Sequence, residues 1–170
     1  MTELTIRHAD GTTDTIPETS KEEIQRELGK MRRGRFWVER SLAQAANLEP
    51  KSDVIELPND DNLRLVDLQT GGTTWQLTGY SFEWDGNQVA PTTGGDVRSG
   101  SDDGIITNFV NAVPTWTAGT INQFAPVVEF VFSHAQPHEA IRKIEKNTQG
   151  EFQFRDEGVV DYVSRVGSDR

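Results

Sequence analysis

Apolar and polar residues alternate from the start of the chain, with Leu4 and Ile6 on one side and Thr5 and Arg7 on the other. An Asp10-Gly11 turn pair follows and Thr12–Ile16 returns, so the chain is expected to open on a β-hairpin. Thr19 or Ser20 would then cap a short helix over Lys21–Leu28, carrying Ile24 and Leu28. Gly29 and Gly34 bracket a basic link, Lys30–Arg35, and Phe36–Arg40 reads as a strand. Ser41–Asn47 fits either a helical turn or an insertion. From Asp53 the pattern is strand and turn: Val54–Leu57, a Pro58–Asn62 turn cluster, Leu63–Leu68, the Gly71-Gly72 pair, then Trp75–Trp84. In that last run Trp75 and Leu77 share one parity, whereas Tyr80, Phe82 and Trp84 share the other. A bulge at Gly79 would reconcile them, and Asp85-Gly86 would make the next turn.

The stretch Ala90–Gly100, rich in Gly, Ser, Thr and Pro, reads as a linker. Beyond it, Ser101-Asp-Asp103 would cap a helix running from Gly104 to Val113, with Ile105, Ile106, Phe109 and Val110 on one face and Pro114 stopping it. Trp116–Phe124 is expected as a loop. Val127–Phe132 is so continuously apolar that it suggests a strand buried on both sides. A second helix has Pro137 at its first position, where the missing N–H costs nothing, and Gly150 just past its end. Ala140, Ile141 and Ile144 form its apolar stripe, with Arg142, Lys143, Glu145 and Lys146 facing water. Phe152 and Phe154 alternate with polar residues, Asp156-Glu-Gly158 turns, and Val159–Val163 returns. The resulting class is α+β. A β-rich, barrel- or sandwich-like half over residues 1–92 is joined by a linker at 93–101 to a smaller α+β unit at 102–170.

Composition narrows what such a chain does. There is no apolar run of about 18 residues and hence no membrane span; the Met-Thr-Glu-Leu start is not a secretory leader. Cys is absent, which excludes disulfides, thiol chemistry and Cys-ligated metals. The net charge is −10, with 12 Arg against 5 Lys. Strong acidity with scarce Lys is similar to the proteome style of salt-loving archaea, where high salt screens self-repulsion. The same sign argues against coating or sequence-specifically reading nucleic acid, which relies on cations to neutralise phosphates.

Candidate chemistry is sparse. His134 and His138 lie four apart beside Glu139, but Pro137 starts the helix after His134, so the two do not share a helical face, and no third nitrogen ligand is near in sequence. The acidic pairs Asp60-Asp61, Asp102-Asp103 and Asp156-Glu157 sit at turn or capping positions, without the spacing of a calcium loop. No Gly-x-Ser-x-Gly elbow is present, and neither Gly71-Gly72 nor Gly94-Gly95 is followed by a phosphate-loop Lys. No catalytic residue, cofactor or metal site is therefore expected. Arg32, Arg33, Arg35 and Arg40, interleaved with Phe36 and Trp37, are the basic cluster on an acidic chain. They are the candidate interface, where a negative surface of this chain or of another subunit would pair with them.

The unit from Phe130 through Glu139–Ile144 and Gly150-Glu-Phe152 to Val159–Val163 resembles one in the tail hub, or baseplate hub, proteins of tailed viruses. Gly79–Trp84, Asp102–Pro114 and Thr117–Ile121 extend the resemblance, so that it covers about residues 73–166. The N-terminal 70 residues match only loosely. A full hub would continue beyond Gly167-Ser-Asp-Arg170, so the chain reads as the front part of a longer virion protein or a shortened relative. The resemblance implies a non-enzymatic virion protein at the tail tip, assembled in the host cytoplasm. It implies a homotrimeric ring around the distal end of the tail tube, with the tail tube protein and tip or fibre proteins as partners. The competing classes are a tail-associated cell-envelope hydrolase and a non-viral halophilic adaptor domain.

Overall fold

The structure, a computed structural model, describes residues 3–17, 19–25, 31–57, 62–155 and 158–165. The chain divides into two compact units, Met1–Ser81 and Phe82–Arg170. The fold is α+β.

The first unit is built on a curled, half-barrel sheet that has seven strands among the described residues: β1 (Leu4–Arg7), β2 (Thr13–Ile16), β3 (Thr19–Gln25), β4 (Arg33–Glu39), β5 (Val54–Glu56), β6 (Leu63–Gln69) and β7 (Thr74–Tyr80). All are antiparallel, in the order β2-β1-β5-β6-β7-β4-β3. The opening hairpin is as expected, with Leu4 opposite Ile16 and Gly11 turning at φ +86°. Inward residues alternate along the strands: Leu4 and Ile6, then Phe36 and Val38, then Leu63 and Leu65, all buried in one core with Ile55 and Leu77. Helix α1 (Arg40–Ala45) adds Ala43 to that core, which decides Ser41–Asn47 in favour of the helical turn.

Several expectations change here. Lys21–Gln25 is strand, not helix, because it pairs with β4 from Lys21–Trp37 to Gln25–Arg33 at the sheet edge; tertiary pairing overrides a weak local preference. The rest of that expected helix, the Gly29-Lys30 link and the turn residues 58–61 lie outside the described residues. Arg33, Gly34 and Arg35 belong to β4 rather than to a link. Gly79 does not bulge. Its ladder with β4 runs unbroken from Arg33–Tyr80 to Glu39–Thr74. The irregularity lies in β6, where Leu65 faces Gly79, Asp67 faces Thr78, and Val66 is the extra residue. β7 ends at Tyr80, so Phe82 and Trp84 fall on a 3-10 helix, Phe82–Gln88, which also replaces the expected Asp85-Gly86 turn.

The second unit contains that 3-10 helix, β8 (Asp96–Gly100), α2 (Asp102–Asn111), β9 (Thr117–Ile121), β10 (Val128–Phe132), α3 (Pro137–Asn147), β11 (Gly150–Arg155) and β12 (Val159–Ser164). β8 pairs with β10, and β12 lies between an antiparallel β11 and a parallel β9. Both helices bury the predicted stripes: Ile105, Ile106, Phe109 and Val110 from α2, and Ala140, Ile141 and Ile144 from α3. These pack with Trp116, Phe130, Phe132, Phe152, Val160 and Tyr162. Pro137 starts α3 as expected, reinforced by a capping box between Gln136 and Glu139.

Four segments depart from the sequence reading. Residues 96–100 of the linker-like stretch form β8 against β10, and residues 117–121 of the expected loop form β9 against β12. β10 is not buried on both sides: Phe130 and Phe132 point inward, while Val131 is 50% exposed opposite Val97 at 57%. Glu145 does not face water but is buried, because it serves the backbone of β11 as described below. The turn residues 156–157 and the segment 166–170 lie outside the described residues.

Candidate functional site

On β4 the two-residue period sends Gly34, Phe36 and Val38 into the core, and therefore Arg33, Arg35 and Trp37 to the opposite face. Register places Trp37 beside Gln76, Arg35 beside Thr78, and Arg33 beside Tyr80. The Arg33 guanidinium lies over the Tyr80 ring at 5.5 Å, a cation–π contact. Arg35 reaches the carboxylate of Glu23 on β3 at 3.6 Å, an open ion pair. The Nε atoms of Arg33 and Arg35 are buried without a hydrogen-bond partner. Arg64 of β6 stands next in the same row, opposite Tyr80, and donates from Nη1 to the Ser52 carbonyl at 3.1 Å.

Of the candidate interface residues, the fold thus brings together Arg33, Arg35 and Trp37. Arg32 precedes the strand, its carbonyl accepting from the Ser81 N–H at 3.0 Å. Arg40 opens α1, exposed and off the row. Tyr80 and Arg64 are members the sequence reading missed. The signal for Tyr80 was its parity, opposite to that of Trp75 and Leu77. Arg64 required knowing that β6 pairs with β7. A row of half-buried guanidinium groups with aromatic rings is suited to carboxylates presented by a macromolecular surface.

At the far end of the same sheet, the β1–β2 hairpin and the loop after α1 enclose a cleft of about 440 Å³ with His8, Asp10, Asp14, Glu49 and Asp53 among its walls. The two ring nitrogens of His8 each meet a carboxylate, Nδ1 on Asp53 and Nε2 on Asp14, both at 3.1 Å. Burial pulls the imidazole down, but the hydrogen bonds and charges of Asp14 and Asp53 outweigh it, and its pKa lies above the ordinary histidine value. Asp53 is fully buried and also accepts from the Glu49 N–H at 2.6 Å. Asp10 accepts from the hydroxyl and the N–H of Thr12, bonds that hold its carboxyl below the usual range. Nothing in the sequence announced this group, since Asp53 joins it from 45 residues away.

The buried charges of the second unit are structural. Arg142 bridges Glu83 and Glu145 and stacks on Phe152 at 4.8 Å. Burial lowers its pKa, but Glu83 and Glu145 more than offset that, keeping it raised and charged. Glu145 accepts from the Phe152 N–H at 3.1 Å. Ser101 stands at the N-cap of α2 without a side-chain bond to it, and Asp102, expected as part of that cap, is fully buried in the first turn. It accepts from the backbone N–H groups of Asp103, Phe124 and Ala125 and from the Tyr162 hydroxyl at 3.1 Å. Burial, above all, pushes Tyr162 up to about 12. Its hydroxyl therefore stays protonated and also meets Thr148.

His134 occupies a left-handed turn at φ +53° after β10, and His138 sits in the first turn of α3 with Nδ1 buried and unpaired. Burial lowers the pKa of His138. Among the described residues no three His, Asp or Glu side chains are arranged to hold a metal ion, and no helix is long and apolar enough to cross a membrane.

No protein-family model matches the chain, and no curated protein matches its sequence. Its fold, however, is shared with solved tail proteins, among them proteins of prophages. Prophage tail protein gp18 from Listeria monocytogenes EGD-e superposes with a TM-score of 0.64 at 8% identity, over 96% of this chain and 51% of that one. The tail protein from Neisseria meningitidis MC58 gives 0.68 at 10% identity, over 95% and 50%. The 43 kDa tail protein of prophage MuSo2 from Shewanella oneidensis gives 0.63 at 12% identity, over 95% and 54%. The chain thus spans about half the length of the solved structures it matches.

Proposed function

We propose that this chain is a structural, non-enzymatic component of the tail of a tailed virus. We place it in the tail-tip hub, as a homotrimeric ring at the distal end of the tail tube. The observation that supports a tail role is the likeness to three solved bacterial tail proteins, two of them from prophages, over nearly the whole of this chain. The hub position rests on the order of segments from Gly79 to Val163 described above. Tail tube protein and tip or fibre proteins are the partners of that position. Host assignment to a halophilic archaeon rests on the net charge of −10 with 12 Arg against 5 Lys. Gold-labelled antibody against the chain, applied to purified virions, is expected to mark the distal end of the tail. Label confined to the head, or virions without the chain, would overturn the proposal.

A further inference from the structure

Arg33, Arg35 and the acidic cleft around His8 lie on one sheet but do not meet. From β1 to β4 there are four inter-strand steps, each of about 4.8 Å, so roughly 20 Å of sheet separates them. Among the described residues, the Arg33–Arg35 face shows an open ion pair, Arg35 to Glu23, and buried Nε atoms of both arginines without a hydrogen-bond partner. The cleft at the other end presents Asp10, Asp14 and Glu49 toward solvent, with His8 holding Asp14 and Asp53 in place. On a chain of net charge −10, most surfaces of two copies repel each other.

We infer that the Arg33–Arg35 face of one copy docks on the acidic cleft of a second copy, head to tail. Like faces cannot serve: two arginine rows repel, as do two acidic clefts, so the contact is between unlike ends of the sheet. Guanidinium is matched to such a cleft, because its planar fork pairs with carboxylates through two parallel hydrogen bonds. The Asp10 carboxylate is already oriented by Thr12, and Asp14 by His8, which limits what must be ordered on contact. Tyr80 and Trp37, flanking the arginines on β7 and β4, supply the aromatic part of the face. The inference deepens the assembly reading above and rests on it for self-association; the residues and the polarity of the contact come from the sheet.

Sedimentation of the full chain over a range of concentrations tests it. Arg33→Glu with Arg35→Glu, and separately Asp10→Lys with Glu49→Lys, should each weaken self-association by about 100-fold or more. Combining all four substitutions in one chain should restore it, and mixing the two variants should restore pairwise contact, although a ring of three cannot alternate them. Recovery in the mixture also shows that each variant is folded. Unchanged association of the single-face variants, or no recovery on combination, overturns the docking while leaving the tail assignment intact. A wild-type chain that stays monomeric throughout overturns it as well. Charge-dependent association together with absence of the chain from virions would retain the docking and remove the tail reading.

Discussion

Gly79 shows how much one missing side chain governs. A Cβ at this position would come to 2.9 Å from Leu63 Cβ, 3.0 Å from Ile55 Cδ1 and 3.3 Å from the Arg64 carbonyl oxygen. Its cross-strand partner Gly34 is equally closed, with Leu63 Cδ1 at 2.5 Å from the place a Cβ would take. The facing pair lets Leu63 and Ile55 settle directly on the strands. Gly79→Val should therefore cost about 1–3 kcal/mol through overpacking, with no change in the β4–β7 register. Urea denaturation measures the loss; a variant as stable as the parent would show that Leu63 and Ile55 yield freely. Sequence reasoning found the right residue and the wrong device, because a glycine is silent in a hydrophobic pattern. The inward series is Trp75, Leu77, Gly79, with no switch of face. The switch that does occur is in β6, from Leu63 and Leu65 to Leu68, and it was visible in the sequence as a change of parity. Asp102 was illegible for another reason: at a helix start an aspartate is expected to cap, and nothing local reveals three backbone donors and a tyrosine 60 residues away.

Among the elements, the apolar stripes of α2 and α3 were legible, since they recur at helical spacing next to Pro114 and Pro137, whereas the burial of Glu145 was not. Short segments were not. β3 and β9 owe their conformation to partners, β4 and β12, that are invisible locally. Element contacts also set the response to pH. The hairpin β1–β2 is fastened to the loop before β5 by His8, which can donate to both Asp14 and Asp53 only when protonated. Its pKa is raised by folding, so the stabilisation is complete below the unfolded value of about 6.5 and is lost as pH rises through the higher folded value. Above that window one imidazole nitrogen faces a carboxylate with no proton between them. His8→Gln should flatten this decline, and melting curves of both proteins across neutral pH measure it. His138 in α3 has the opposite sign: its pKa is depressed, so its contribution holds above about 6.5 and fades on acidification. A wild-type profile that declines no more than that of His8→Gln as pH rises from about 6.5 would count against the clamp.

For the molecule as a whole, charge dominates. Ten excess negative charges repel across a Debye length that reaches about 30 Å at 0.01 M salt, so the melting temperature should climb steeply with salt and level off only at molar concentration. A flat melting temperature between about 0.1 and 3 M would remove the halophile assignment. Fold class was legible at this scale because strand and helix periods are separated along the chain; of the candidate interface residues, Arg33, Arg35 and Trp37 share one face of β4, while Arg32 and Arg40 fall away from them. The strand order β2-β1-β5-β6-β7-β4-β3 carries a further consequence, for synthesis. The hairpins β1–β2 and β3–β4 leave the ribosome first, yet the strands that join them, β5, β6 and β7, are made last. At about 5–20 residues per second, Phe36 and Val38 wait several seconds for β7 to emerge and cover them. Two hairpins without their neighbouring strands thus stand exposed while the chain is still growing, before any question of assembly arises.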